Sequence, residues 1–389
     1  MNVENLKKHK FVVFCEDHYN PLGAVRSLGE EGLNPDVILV VGDHRPYLIP
    51  NSKYTNELKI VHTIEEGYNK LISDYSRFTE KTFIITCSDD IESYLDLHYD
   101  ELNEHFFFFD GGSQGQITKT MEKNEMCRLA VECGLDIPKT EELKVGELPK
   151  ALRYPVMTKS VISTTANWKK NVHICQNEEE LKEAYKSITG EKINVQEFIV
   201  KKNELCIDGL SVNGGEEIYI PIQSSYIRFS SMSYGNYILF EKYKEQELFE
   251  KIHNLFKKTH FSGVFSIEFL RDQNDHFYFL EINFRNSTWS YAHTVEGINL
   301  PVIWAKSVLA GHLDTSDVKI KKVPFKAMVE LEDFRENVLH RKMSFGQWRK
   351  DFKSCDCGFV YNLKDLKPYR KMVRHEVWRL IKKFVFRIK

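Results

Sequence analysis

The chain has 389 residues, and at ~100–200 residues per domain that length predicts two or three domains. Its 54 Lys and Arg against 56 Asp and Glu leave a net charge of −2, which removes any argument from bulk charge for nucleic-acid binding. With 42% hydrophobic, 28% charged and 13% aromatic residues, it is neither a disordered nor a collagen-like chain. The opening MNVENLKKHK leads only into FVVFC before Glu16 and Asp17, too short for a secretory h-region of ~7–15 residues. No stretch approaches the ~20 apolar residues of a spanning helix. Eight cysteines, several in apolar runs, form no CxxC pair, so a reduced, cytoplasmic protein is expected.

The first third alternates short apolar runs, at 11–15, 37–41, 82–86 and 105–109, with helical patterns such as the one carrying Leu22, Val25 and Leu28 and closed by Gly32. Runs that are apolar throughout predict strands buried on both faces of a parallel sheet, with ligands beyond their carboxyl ends. Asp89, Asp90 and Gly111-Gly112 stand at such ends; turn chemistry is the expectation for them, a substrate rim the alternative. There is no GxGxxG fingerprint. A helix is expected from 119 to 133, capped by Gly134 with Pro138 beyond it. Strands at 155–160, 194–200, 204–212, 217–222, 263–270 and 276–283 then mix with helices at 178–187 and 246–259, an α+β segment with antiparallel character. A helix at 299–310 carries Pro301 near its start. Beyond Gly311 the chain is charged and less regular until a basic terminal helix.

The most informative stretch is GVFSIEFLRDQNDHFYFLEINFRNSTWS, residues 263–290, with a turn at Gln273-Asn274-Asp275. Val264, Ser266 and Glu268 share one face of the first strand, and Glu281, Asn283 and Arg285 share one face of the second. Two carboxylates and an amide oxygen on adjacent strands converge on one point. Such charges in a half-buried sheet call for a cation, and a few oxygen ligands suit magnesium. A solvent-facing charged hairpin is the alternative.

This hairpin resembles the magnesium-binding hairpin of the ATP-grasp superfamily, with Leu280 in place of the usual leading Asn. The resemblance implies that Glu268, Glu281 and Asn283 hold metal, and that Arg285 faces the transferred phosphate or a substrate carboxylate. Arg153-Tyr154-Pro155-Val156-Met157-Thr158-Lys159 is similar to the family strand that ends in a phosphate-contacting lysine, here Lys159. Lys123 matches the other nucleotide lysine, with Lys119 as fallback. Gln196, Glu197, Phe198 and Ile199 look like the adenine hinge, and Glu204 like the ribose-binding glutamate. The loop at 160–170 contains no glycine, so Ser and Thr hydroxyls with Lys169 or Lys170 stand in for the family's glycine-rich phosphate loop.

What the resemblance implies for the whole chain is a mixed α/β and α+β fold. A Rossmann-like parallel-sheet domain at 1–115 precedes an ATP-grasp domain at 116–312, whose two α+β subdomains clasp ATP with a small lid at about 140–200. A C-terminal extension covers 313–389. The implied cofactors are ATP and Mg2+, with Mn2+ as a substitute. The implied reaction joins a small-molecule carboxylate to an amine through an acylphosphate, with Lys159 and Arg285 acting on the transferred group. A carboxylase or carbamoyl-type enzyme, or a nucleotide-binding scaffold without ligase activity, are the alternatives. No nucleic-acid partner is expected; a homodimer is.

Three features lie outside this constellation. Arg228, in Ser224-Ser225-Tyr226-Ile227-Arg228 with Gly235 and Tyr237 beyond, falls where a substrate loop is expected and suits a carboxylate; a surface cation is the alternative. His293 is expected to be a packed histidine. The tail at 367–389 holds nine Lys and Arg against one acid, Glu376, so it is net +8 and the rest of the chain net −10. Val373, Val377, Leu380, Ile381, Phe384, Val385 and Ile388 make one apolar stripe, which suits an anionic membrane surface and docking on protein equally. The layout, with Asp333 and the Trp348…Asp365…Pro368 region, is similar to a group of carboxylate–amine ligases resembling D-aspartate ligases. A tail at the inner face of the membrane would make a lipid-linked envelope precursor the acceptor.

Overall fold

The computed structural model describes residues 3–42, 45–160, 171–230 and 233–385. The apolar runs of the first third form a parallel sheet of β1 (Phe11–Glu16), β2 (Asp36–Val40), β3 (Leu58–Val61), β4 (Thr82–Thr86) and β5 (Phe106–Phe107), in the order β3-β2-β1-β4-β5. Burial on both faces explains why these strands are apolar throughout. Val13, Cys15 and Ile85 join one buried cluster, while Val12, Phe14 and Ile84 join another on the opposite face. Helix Ile64–Tyr75 packs on the latter face so closely that a Cβ at Gly67 would stand 2.5 Å from the Phe14 ring. Strand order reverses between β1 and β4, the place where an open parallel sheet leaves a crevice at its carboxyl ends. The run at 105–109 pairs for only two residues, because Asp110 leaves the sheet to bridge Ser262.

The helix expected over 119–133 is two helices, Gln116–Met121 and Lys123–Glu132, broken where Glu122 takes an extended conformation. Lys123 therefore opens a helix of its own. Gly134, at φ +77°, ends it, and the Leu135 N–H reaches back to the Ala130 carbonyl.

A small sheet follows, made of β6 (Thr140–Lys144), β7 (Val156–Lys159), β8 (Ile174–Cys175) and β9 (Lys192–Glu197) in the order β6-β9-β7-β8. It packs on helix Glu178–Tyr185 through Val156, Leu181, Ile193 and Val195, a core of its own. The large sheet contains β10 (Asn203–Val212), β11 (Glu217–Ser230), β12 (Ser233–Lys242), β13 (Gly263–Arg271), β14 (Phe277–Asn283), β15 (Phe325–Met328) and β16 (Cys357–Gly358). Its order is β14-β13-β10-β11-β12-β15-β16.

Two expectations are corrected here. The stretch expected as a substrate loop, from Ser224 through Arg228 to Tyr237, lies in the long antiparallel pair β11–β12 at the middle of this sheet. Its serines and polar residues weakened the strand signal, but the pairing buries Tyr226, Ile238 and Phe240. The chain beyond 312 is likewise no separate extension, because β15 and β16 complete the large sheet. Strands of four and two residues carry too little periodicity to be read without the sheet that accepts them.

Candidate active site

The hairpin of β13 and β14 forms with its acidic residues together. Glu268 lies directly opposite Glu281, and Ser266 opposite Asn283, with a bulge at Leu280 before the register resumes at Phe269 and Phe279. Burial and the neighbouring Glu281 push the Glu268 carboxyl up to about 8. Glu281 keeps solvent contact, yet the protein crowded around it and Asp89 raise its carboxyl too. Two facing carboxylates that destabilise each other are a site that a divalent cation neutralises. Among the described residues no group of three His, Cys, Asp or Glu side chains converges as a metal site. Glu268, Glu281 and the Asn283 amide offer hard oxygen donors, which suit Mg2+ better than a thiophilic metal.

Arg285 extends this cluster to the other sheet. Its Nη2 donates to Asn283 Oδ1 at 2.9 Å, while Nε and Nη2 donate to the two Asp89 oxygens at 2.7 and 3.1 Å. Asp89 opens helix Asp89–Asp96 just after β4, so the carboxylate edge of the parallel sheet grips the end of the antiparallel hairpin. Turn chemistry, the expectation for Asp89, is thus incomplete. The available signal was its place after an apolar strand beside the β1–β4 crevice. Glu16, at the end of β1, accepts from the Ser88 hydroxyl at 3.2 Å, and burial raises its carboxyl. Beneath them, Asn20 donates to the Cys87 and Asn286 carbonyls at 3.3 and 3.1 Å, tying strand ends to hairpin.

Lys159, ending β7, points into the same region. Burial and the nearby Lys123 ammonium lower it to about 8, and its Nζ donates to Gln196 Oε1 at 2.7 Å. Gln196 in turn donates to Thr140 Oγ1 at 2.7 Å. Its side chain therefore orients the lysine and, in this arrangement, is not offered to an adenine amino group. Lys123 and Lys119 are exposed. At the end of β9, the Glu197 N–H donates to Lys139 O and the Phe198 N–H to Pro155 O. Glu204 is buried and accepts from Lys201 Nζ at 2.6 Å, with that ammonium 5.0 Å from the Phe229 ring. Lys169, Lys170 and the loop over 161–170 fall outside the described residues.

Arg228 is placed differently from its expectation. Its guanidinium grips Asp333 through Nε and Nη2 at 3.2 and 2.6 Å, and reaches Asp351 at 2.9 Å. With both forks taken by carboxylates of the chain, it braces β11 against the C-terminal segment and does not present a free cation to a substrate carboxylate. His293 is a packed histidine, 1% exposed, with Nδ1 at 3.1 Å from the Trp289 carbonyl and its ring edge-on to Phe240. Cys87 accepts from Asn286 Nδ2 at 3.8 Å, and burial pushes its thiol up to about 12. Burial thus disfavours its thiolate, the nucleophilic form.

No protein-family model matches the chain. A curated relative, N5-carboxyaminoimidazole ribonucleotide synthase of Staphylococcus haemolyticus, is 26% identical over 152 residues, 38% of this chain and 38% of that protein's length. Three solved structures share the architecture. N5-carboxyaminoimidazole synthetase from Staphylococcus aureus superposes with a TM-score of 0.64 at 14% identity, over 85% of this chain and 86% of that one. Biotin carboxylase from Campylobacter jejuni, complexed with an ATP analogue, gives 0.61 at 17% identity over 81% and 74%. L-amino acid ligase from Bacillus licheniformis gives 0.57 at 16% identity over 77% and 74%. At these identities the likeness is one of fold, and the fold is that of the ATP-grasp proteins.

Proposed function

From this ATP-grasp fold as premise, we propose that the protein is a magnesium-dependent ligase that uses ATP to join a small-molecule carboxylate to an amine. The observation that carries the reading is the pairing of Glu268 with Glu281, next to an Asn283 held by Arg285. A bound Mg2+ supplies charge neutralisation for the phosphates. Glu268, Glu281 and Asn283 would hold it. Lys159 and Lys123, close enough to depress the Lys159 ammonium, give two cations for phosphate oxygens, and Gln196 fixes the first of them. The Ile199 N–H and the Glu204 carboxylate are the remaining hinge and ribose contacts.

Arg285 lies between the metal ligands and the β1–β4 crevice, held there by Asp89. In the proposed reaction the substrate carboxylate attacks the γ-phosphorus and ADP leaves, giving an acylphosphate whose charge Arg285 offsets. An amine then displaces phosphate and gives up its proton. Glu16 and Asp90 line the crevice from which that amine would approach. Positioning and charge do the chemistry, so no covalent side-chain nucleophile is required.

A second reading is favoured by the curated match. An enzyme of the carboxylating kind would activate bicarbonate in place of an organic acid at the same Arg285. An envelope precursor as acceptor is the finer form of the first reading, and its support is the basic tail. One assay separates these readings: phosphate release from Mg-ATP in bicarbonate-free buffer, screened with paired amino acids, other carboxylates and amines. Release that requires both an organic acid and an amine supports the ligase. Release that requires bicarbonate supports the second reading. ATP binding without turnover under every pairing would leave a nucleotide-binding protein and overturn both.

A further inference from the structure

The C-terminal helix Lys367–Val385 is divided by what it touches. Its first turns pack on the body of the protein. Met372 is buried, Tyr369 sets its ring edge-on to Tyr361, and His375 stacks on Tyr47 with 4.5 Å between ring centroids. Glu376 is paired with Arg335 at 3.1 Å and with Arg379 at 2.8 Å. Immediately beyond, Val377, Trp378 and Ile381 are 50%, 52% and 39% exposed. Positions 374, 377, 378, 381 and 382 follow i, i+3, i+4, i+7 and i+8, and so share one face. Three bare apolar side chains therefore stand between Arg374 and Lys382, whose ammonium lies 5.6 Å from the Trp378 ring. The outward face differs from the stripe read along the sequence, because Val373 is half-buried and Trp378 joins instead.

We propose that this outward face docks on an anionic lipid surface. Charge selects the occupant: the segment 367–389 carries nine Lys and Arg, and its single acid, Glu376, is already engaged by two arginines. An exposed Trp flanked by aliphatics and cations is the composition of an interfacial helix. Area argues against a second copy of the chain. A stable protein interface buries about 800 Å² per partner, whereas three half-exposed side chains offer on the order of 300 Å².

The docked helix would also fix the active-site crevice relative to the lipid. Tyr47, stacked on His375, donates its N–H to Asp17 at 2.5 Å, and Asp17 also accepts from the Leu48 and Ile49 N–H groups. Asp17 directly follows Glu16 at the end of β1. This inference does not depend on the ligase reading, since lipid binding and turnover are measured separately.

The test is co-sedimentation of the full chain with phosphatidylcholine vesicles and with vesicles containing phosphatidylglycerol. Binding is expected only to the second, and is expected to weaken as salt is raised. Replacing Arg374, Arg379 and Lys382 together by Gln should lower partitioning on the order of 100-fold. A Val377→Ser, Trp378→Ser, Ile381→Ser variant should lose binding too. A melting temperature and far-ultraviolet circular dichroism spectrum unchanged in both variants report that they are folded. Absence of binding to either vesicle, equal binding to both, or variants that bind as the parent does would overturn the proposal. So would a concentration-dependent dimer abolished by the triple serine variant, which would make a second copy the occupant.

Discussion

Two clusters of ionised side chains inside this protein have opposite character. Around Arg26, fully buried, every guanidinium nitrogen has a partner: Asp365 Oδ2 at 3.0 Å, its carbonyl at 2.9 Å, and the Phe359 and Val360 carbonyls at 2.9 and 3.1 Å. Asp365 further accepts from the Ser52 hydroxyl and the Lys53 N–H, so opposite charges and hydrogen bonds close the cluster on itself. At Glu268 and Glu281 two like charges face each other across adjacent strands, and burial raises both. The first arrangement joins the parallel sheet to the C-terminal segment and needs nothing further. The second is unfavourable until something positive enters. A self-satisfied charge cluster serves structure, and an unbalanced one is a candidate for binding.

Breaking the closed cluster should give the largest effect. Arg26→Ala leaves Asp365 buried without its counter-ion and should cost about 3–5 kcal/mol of stability, read as the shift of a urea midpoint. An unchanged midpoint would remove the distinction between the two clusters. Glu281→Ala at the unbalanced cluster should do the reverse. It should leave the metal-free protein as stable as the parent or more so, and should reduce Mg-dependent ATP turnover by at least about 100-fold.

Asp89→Asn comes next. It keeps the shape of the contact to Arg285 but loses the charge-assisted pair, so kcat should fall roughly 10-fold with little change in melting temperature. A fall in stability without a fall in kcat would make Asp89 part of the scaffold only. The smallest effects are those of pH. Because the folded-state Glu268 carboxyl is raised, its contribution to the stability of the metal-free protein is present below the unfolded value, about 4.5, and is lost as pH rises through about 8. The Mg2+-induced gain in melting temperature should therefore grow by a few degrees across that window. Lys159 has the opposite sense for its ligand: ATP affinity should weaken as pH rises through about 8 and the ammonium is lost.

Legibility followed distance along the chain. The strands β1, β4, β10, β13 and β14 could be placed from apolar runs and period-two alternation, and the helix Gln246–Thr259 from its apolar period. The short turn made the convergence of Glu268 and Glu281 legible but not their exact pairing, because the register set by the turn would put Leu280 opposite Glu268 and the bulge at Leu280 brings Glu281 there instead. The hydrogen-bond partners of Lys159 and Glu204, Gln196 and Lys201, were not anticipated. Arg228 looked like a free cation in isolation; its counter-ion Asp333 is 105 positions away.

By itself, then, the sequence determined the alternating strands and helices of the first third, the acidic hairpin and the basic terminal helix. Each is set by spacings of a few residues, where periodicity and turn chemistry act. Tertiary structure alone decided that Asp89, 196 positions from Arg285, holds it at the crevice, and that Arg26 closes on Asp365 across 339 positions. It also decided that β15 and β16 complete the large sheet, and that the C-terminal helix turns Trp378 outward while Met372 goes inward. Charges find such partners only when folding brings distant elements together, and no local pattern in the chain specifies which opposite charge that will be.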